Sequence, residues 1–344
     1  LRMGTRFPSI PIVMKVTIRD VAKAAGVSPS TVSRALNGKG RMRPETRERI
    51  LRIARELGFR PNPLAKGLAT KMNYCIGVGI DARHLPIKRS FYGAVLEAIE
   101  EVLDREGYHL VFSVIRNAEA PRCVIEGRVD GVILMGTDVR GELVEKLREK
   151  LPLVLVDYHL PGAAAVVTDN FGGAKAAVEH LIGHGHRKIA FVVETLSDPN
   201  FKERFEGYRA ALEAHGILFD EKLVFEGGRR AESSRFAMEK FFETREMPTA
   251  IFGANDHMAI GAIRALKEAG IRVPEDVAVA GFDDGDLAPH VTPPLTSVHV
   301  PRGEMGRRAA VLLLDLLRGK LCTVKTDILS ITLTIRSSCG CGST

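Results

Sequence analysis

The chain has 344 residues, 45% of them apolar and 26% charged, enough for two or three domains that each bury a core. No stretch approaches the roughly 18 uninterrupted apolar residues of a membrane-spanning helix. Its five cysteines (Cys75, Cys123, Cys322, Cys339 and Cys341) form no even-numbered disulfide framework, which points to the reducing cytoplasm.

The net charge of +7 is unevenly placed: residues 1–72 hold 16 Lys/Arg against 4 Asp/Glu, and the remainder holds 33 against 38. A basic head on a mildly acidic body is expected to meet a polyanion. Nucleic acid is favoured over a membrane surface, because the basic residues lack an accompanying exposed aromatic face.

The opening "LRMGTRFPSIPIV" is too short and too broken by proline for a secretory signal, and residues 1–14 read as an upstream extension with Met14 as the natural start. Three short helices are then predicted. "TIRDVAKAAG" begins with Thr17 as cap and Asp20 three residues on, and stops at Gly26, with Ile18, Val21 and Ala22 or Ala25 on one face. After a tight "GVS" turn, Ser28 caps a second helix with Pro29 at its first position; Val32 and Leu36 are spaced to face inward. The third, "PETRERILRIARELG", is expected to bury Ile50, Ile53, Ala54 and Leu57.

Two short helices joined by a three-residue turn and braced by a third make a helix-turn-helix. The second helix would enter the major groove, and the short side chains of Pro29 and Ser30 let it approach the base edges. Arg34 is long enough for a bidentate contact to guanine. Thr31, Ser33 and Asn37 can donate to phosphates. The competing reading is an amphipathic helix pair with a solvated polar face.

"VTIRDVAKAAGVSPSTVSRALNG" and "PETRERILRIARELGFRPNPLAKGL" together resemble the DNA-binding head of the lactose-repressor (LacI/GalR) family. The resemblance implies DNA contacts by Thr17, Ser28, Pro29, Ser30, Thr31, Ser33, Arg34 and Asn37, and a hinge helix over "NPLAKGLATK" in which Ala65 also meets DNA. Leu68 falls where the family wedges a leucine into the minor groove, an insertion that unstacks a base step and kinks the duplex. Asn62 and Pro63 suit a short, marginal helix there. One departure is Arg43 in place of a capping hydroxyl before the third helix.

From Tyr74 the pattern changes to short apolar runs alternating with helical segments. "CIGVGI", "HLVFSV", "GVILM" and "PLVLVD" read as one set of buried parallel strands, with helices at 91–106 and 141–150. "KIAFVVE", "LVFEG", "TAIFGAND" and "VAVAGFDD" form a second set, with helices at 170–183, 203–215, 231–243 and 257–269. Each set is expected to form a doubly wound α/β unit, with a ligand cleft at the carboxyl ends of the strands. Asp81, Asp157, Asn255, Asp256, Asp283 and Asp284 follow strand ends, and Arg204 lies near the start of a helix. Carboxylates and an amide with one arginine suit a sugar or another polyhydroxylated or anionic small molecule. Taken singly, each Asp or Asn also reads as a turn former or helix cap.

The body resembles the same family through "GHRKIAFV", "RFEGYRAAL", "ANDHMAIGAIRALKEAGIRVPEDVAVAGFDD" and "PPLTSV", and through it the periplasmic sugar-binding proteins. The implied architecture is an α/β core of two doubly wound parallel subdomains behind the three-helix head and hinge helix. The boundaries are 15–60 for the head, 61–72 for the hinge and 73–336 for the core. Within the core, 73–167 plus 300–325 form one subdomain and 168–299 plus 326–336 the other, leaving 337–344 as a tail. By motif, the resemblance assigns effector contacts to Arg204, Asn255 and Asp283, more weakly to Asp81 and Asp157, and to Phe91 as a stacking aromatic that equally suits the core. Arg229 stands where some members have a ligand-stacking aromatic. Residues 117–130 are shorter than the family's usual helix before "VDG".

The expected partners are double-stranded, pseudo-palindromic operator DNA, a small-molecule effector and a second copy of the chain. No heptad run follows "TIRSSCGCGST", so a dimer is expected in preference to a tetramer. Inducer and corepressor action remain open. An enzyme is disfavoured, because no phosphate-binding glycine loop or nucleophile elbow stands in context. "GHGH" (His184, His186) has no cysteine or carboxylate beside it in sequence, and "CGC" lacks a second pair for tetrahedral zinc, so neither metal nor cofactor is expected and the tail reads as frayed. "DDGD" (Asp283, Asp284, Asp286) lacks a phosphate cradle for magnesium. A transport binding protein is disfavoured by the DNA-binding head, and an architectural DNA-binding protein with a vestigial body by Arg204, Asn255 and Asp283.

Overall fold

The computed structural model describes residues 16–36, 40–59, 72–82, 91–116, 119–137, 141–227, 233–243, 247–320 and 325–341. The chain divides into two compact units, Leu1–Asn73 and Tyr74–Thr344.

The first unit holds α1 (Ile18–Ala25), α2 (Pro29–Leu36) and α3 (Pro44–Glu56). The Thr17 backbone N–H and hydroxyl both donate to Asp20 Oδ2, at 2.8 and 2.7 Å, fixing the start of α1. Gly26 ends it at φ 64, a left-handed conformation in which glycine carries no Cβ penalty. Ser28 Oγ accepts from the Thr31 N–H at 3.2 Å and starts α2. Arg43 precedes α3 without a side-chain cap, and Pro44 opens the helix.

Val21, Ala22, Ala25, Val32, Ala35, Ile50 and Ala54 form the core of this unit. Three inward positions differ from the sequence expectation. Ala35 is deeper than the half-buried Leu36, and Leu57 is 39% exposed with Ile53 only partly buried. The helix ends at Glu56, so Leu57 leaves the buried stripe. The Phe59 N–H instead bonds Ala54 O at 2.9 Å, which folds Phe59 back onto the core.

The second unit contains two six-stranded sheets among the described residues. The first is built from β1 (Cys75–Asp81), β2 (His109–Ile115), β3 (Gly131–Met135), β4 (Leu153–Val156), β5 (Ala164–Thr168) and β11 (Thr326–Leu329), in the order β11-β5-β4-β3-β1-β2 and parallel throughout. The second uses β6 (Ile189–Val193), β7 (Val224–Glu226), β8 (Ala250–Gly253), β9 (Ala278–Asp283), β10 (Thr296–His299) and β12 (Thr332–Thr334), in the order β12-β10-β9-β8-β6-β7. It is not wholly parallel, because β12 runs antiparallel to β10. β3 and β6 are buried at every position, as befits central strands covered on both faces.

Helices α4 (Phe91–Arg105), α5 (Arg122–Ile125) and α6 (Gly141–Arg148) connect the first sheet. The second is wound with α7 (Asn170–Gly183), α8 (Pro199–Ala214), α9 (Ser233–Phe242) and α10 (Asp256–Glu268). Then α11 (Arg302–Leu317) returns to the first sheet and packs on α4.

Three expectations are corrected here. Residues 326–329 pair with β5 and belong to the first subdomain, so the chain passes to the second only before β12. The helix expected from 203 begins at Pro199, because the Asp198 carboxylate accepts from the N–H groups of Asn200 and Phe201 at 2.9 and 3.3 Å. The tail is not frayed over residues 337–341. Ser338 and Cys339 are buried, and Ser338 Oγ donates to Val279 O at 2.6 Å while accepting from the Thr296 N–H at 2.8 Å.

Candidate functional site

On the first unit the predicted DNA-contacting residues occupy the start of α1 and the outer side of α2. Thr17, Ser28, Pro29, Ser30 and Arg34 are exposed, and Thr31 and Ser33 are half-buried. Ser28 Oγ lies 2.7 Å from Ser30 Oγ and 2.8 Å from Thr31 Oγ1, so the hydroxyls share one network at the helix start. Arg34 touches its own helix through Nε and Ser30 O at 3.4 Å. Asn37, Ala65 and Leu68 lie outside the described residues, as do Asn62, Pro63 and Arg229.

The second unit gathers polar side chains at the carboxyl ends of both sheets. Asp157 follows β4 in the left-handed region, at φ 59, which aspartate tolerates better than most residues. Its Oδ2 accepts from the Tyr92 hydroxyl at 2.7 Å. Asn200 Nδ2, on α8 of the other subdomain, donates to Asp157 Oδ1 at 2.9 Å and to its carbonyl at 3.0 Å. Thr137, after β3, donates its hydroxyl to the Asp198 carboxylate. Asp157 and Thr137 thereby clasp the two subdomains across the cleft.

Arg204 stands in the second turn of α8 and is 4% exposed. Its Nε donates to Asn170 Oδ1 at 2.9 Å and its Nη1 to Ala254 O at 2.7 Å, with Asp283 Oδ1 3.3 Å away. The guanidinium lies 3.7 Å from the centre of the Phe282 ring, a cation–π contact on a buried face. Asn255 caps α10 by accepting from the Met258 N–H at 2.9 Å, and its amide donates to Glu194 Oε1 at 3.3 Å. The capping role that its position after β8 suggests is realised.

Burial dominates the electrostatics. It pushes Asp157 up to about 7, against the opposing pull of the Tyr92 hydrogen bond and of Arg204. Asp283, at φ 107, rises to about 6 through burial, with Arg204 and Arg302 opposing. Asp256 rises to about 7 through burial and the nearby Asp283 charge. Its carboxylate accepts from Ser297 Oγ at 2.5 Å and from the Gly285 N–H at 2.6 Å, which holds the loop after β9. Asp284 serves the scaffold: it takes Arg336 at 2.7 Å, His299 at 3.0 Å and the Thr334 hydroxyl at 3.0 Å. Asp286 is 92% exposed and faces Arg302, so "DDGD" does not converge on one point.

Asp157, Arg204, Asn255 and Asp283 are thus brought together with partners that the sequence reading did not name: Tyr92, Thr137, Asn170, Glu194, Asp198, Asn200 and Phe282. The signal for Asn200 was present, since Asp198-Pro199 is a capping residue followed by the proline favoured at a helix start. Phe91 is half-buried, edge-on to Tyr92 at 5.2 Å between centroids. Asp81 ends β1 in register with Ile115.

Of the residues weighed for metal, His186 Nδ1 sits 3.1 Å from Thr249 Oγ1 as part of the turn before β6. His184 does have a cysteine beside it in space: Cys341 Sγ is 3.0 Å from its Nε2.

Comparison with known proteins gives matches to both units. Residues 17–62 match the family described as bacterial regulatory proteins, lacI family, and residues 178–339 match a periplasmic binding protein-like domain. The HTH-type transcriptional repressor PurR of Vibrio atlanticus (strain LGP32) is 33% identical over 313 residues, 88% of this chain and 92% of that protein. Among solved structures, a complex of the transcriptional regulator CelR with cellobiose shares 32% identity at a TM-score of 0.70, covering 94% of this chain and all of that one. A lac repressor dimer bound to operator and the anti-inducer ONPF shares 29% identity at a TM-score of 0.80, over 94% of this chain and 99% of that one.

Proposed function

The chain belongs to the LacI family of bacterial regulatory proteins, and from that membership we propose a cytoplasmic homodimeric repressor that reads a pseudo-palindromic operator and is controlled by a neutral polyhydroxylated effector. One helix-turn-helix covers a half-site, so two copies are needed for a palindrome. Thr17, Ser28, Ser30, Thr31 and Ser33 position the head on phosphates, and Arg34 reads a guanine. Asn37, Ala65 and Leu68 are assigned to the same interface by motif. The effector lies between the two subdomains of the body, which binds it without turning it over.

The observation that carries this reading is the composition of the cleft. Asp157, Glu194, Asp198 and Asp283 bring four carboxyl groups together there, each already accepting from a neighbour, and the Arg204 guanidinium is likewise engaged by Asn170, Ala254 O, Asp283 and Phe282. Each carboxyl oxygen has acceptor capacity left for hydroxyl groups, and the cluster offers a phosphate no unengaged cation among these residues, so a free sugar is favoured over a sugar phosphate. Asp81 and Phe91 complete the proposed pocket on the side of the first sheet.

The test is a dye-based thermal-shift screen of the full chain against sugars, sugar phosphates and purine bases, since the chain has no tryptophan. A sugar at about a hundred times its dissociation constant adds roughly 2.7 kcal/mol of stability. Asp283→Asn is expected to weaken the hit at least tenfold, the loss of one charge-assisted hydrogen bond. Stabilisation by a purine base or a sugar phosphate alone would overturn the neutral-polyol assignment.

A further inference from the structure

Away from the cleft, the C-terminal end of α7 meets the last described residues of the chain. His180 and His184 are one helical turn apart on α7, and Cys339 and Cys341 flank Gly340, whose φ of 89 turns the backbone so that both sulfurs face the helix. Cys341 Sγ lies 3.0 Å from His184 Nε2 and 3.6 Å from His180 Nε2, and Cys339 Sγ lies 3.3 Å from His180 Nε2. The ligand atoms of His180, His184 and Cys341 all fall within 4.8 Å of one another. The site stands ten residues along α7 from Asn170, about 15 Å at the helical rise, so it is separate from the cleft.

We propose that His180, His184 and Cys341 form a structural zinc site that fastens the end of the chain to α7, with Cys339, whose Sγ is 3.3 Å from His180 Nε2 but outside the mutual 4.8 Å cluster, drawn in as the fourth ligand when the ion binds. Bond lengths of about 2.3 Å to sulfur and 2.0–2.1 Å to nitrogen place neighbouring tetrahedral S and N ligands roughly 3.6 Å apart. The three S···N separations, 3.0, 3.3 and 3.6 Å, lie at or just below that edge, and two nitrogens with two sulfurs are a preferred zinc donor set. Four protein ligands close the tetrahedron, which gives the ion a structural role and no open position for chemistry.

The surroundings suit thiolate ligation. The Thr296 hydroxyl lies 3.1 Å from both Cys339 Sγ and Arg336 O, so it is placed to donate to the sulfur once that sulfur ligates as thiolate. Cys339 is 1% exposed, which shields its sulfur from solvent. The same segment carries Arg336, whose guanidinium pairs with Asp284 at 2.7 Å beside the cleft residue Asp283. Fixing residues 339–341 therefore also steadies the loop that presents Asp283.

The experiment uses the full chain, reduced and stripped by chelator, titrated with Zn²⁺ against a chromophoric competitor and, separately, with Co²⁺. The expected result is one ion per chain, intense visible Co²⁺ bands of a tetrahedral site with a near-ultraviolet thiolate band, and a higher melting temperature on adding Zn²⁺. His184→Leu with Cys341→Ser changes an exposed and a half-exposed side chain, so folding, read by circular dichroism, should survive. That double variant should lose zinc affinity by roughly a hundredfold or more and both Co²⁺ signatures. Three results would overturn the site: no saturable zinc binding, undiminished binding in the double variant, or a Cys339–Cys341 disulfide that forms under mild oxidation despite saturating zinc.

Discussion

Asp157 shows how one side chain can couple pH to the state of the cleft. Its carboxylate titrates near 7 in the folded chain because it is buried, and near 4 when the chain is unfolded. Between those values the folded state holds the extra proton, so this contribution to stability is fully present below about pH 4 and is lost as pH rises through 7. Asn at this position keeps the shape and tolerates the left-handed backbone. It can donate to the Tyr92 oxygen while its own carbonyl accepts from Asn200. Asp157→Asn should therefore flatten the stability profile between pH 4 and 7 and raise stability at pH 8 by on the order of 1 kcal/mol, read from urea melts. A variant less stable than the parent at pH 8 would mean that the ionised carboxylate is favourably held. Asp283 has the same sign but is opposed by Arg204 and Arg302, so its replacement is expected to show in ligand binding more than in stability.

At the scale of elements, two helix pairs set the spacing of the body. A Cβ on Gly207 would collide with the Phe171 carbonyl and stand 3.0 Å from Ala174 Cβ, so α8 lies against α7 almost backbone to backbone. Gly306 of α11 meets Val95 and Ala98 of α4 in the same way. Gly207→Ala must push α8 outward, carrying Arg204 with it, and should cost about 1–3 kcal/mol in denaturant melts. Effector affinity should fall further than an equally destabilising change in the first subdomain would produce. In the head, Arg34 on α2 is exposed and outside the core, so Arg34→Ala should leave the melt unchanged. It should weaken operator binding by about 1–3 kcal/mol while sparing much of the non-specific binding, as read by competition with random duplex. Equal loss on both DNAs would make Arg34 a phosphate contact.

These elements also show what the sequence could and could not disclose. β1, β3, β6 and β9 are continuous apolar runs and were legible, as were the caps at Thr17 and Ser28. β11 and β12 are short, half-exposed edge strands with no such run, so the subdomain that owns residues 326–329 could not be read without the pairing partner. In the cleft, the residues that follow strands were legible by position. Tyr92 and Asn200 reach Asp157 from 65 and 43 residues away, a proximity that only the packed sheets create. The histidine–cysteine cluster was hidden in the same way: "GHGH" and "CGC" each fail alone, and the helical turn from His180 to His184 completes what neither motif contains.

For the whole molecule, the distribution of charge and the division into two units set the terms of regulation. The basic head supplies a salt-dependent attraction to any duplex, so operator affinity should fall steeply with ionic strength, whereas binding of an uncharged effector to the acidic body should barely change. Control then requires the effector to discriminate between the operator-bound and free states, and the discrimination is reciprocal. If a sugar at saturation changes the dissociation constant for a selected operator by a given factor, saturating operator must change the sugar's dissociation constant by that same factor. Both are measurable at one salt concentration, by anisotropy of labelled operator and by calorimetric titration of the sugar with and without DNA. The expected factor is about 5–150, a coupling of roughly 1–3 kcal/mol, and its sign distinguishes inducer from corepressor. Asp283→Asn should shift both sugar titrations together while leaving the operator affinity of the sugar-free chain unchanged. A sugar that stabilises the body but leaves operator affinity unchanged at saturation would be a ligand of the cleft without being an effector, and the regulatory reading would fail even though the binding site stood.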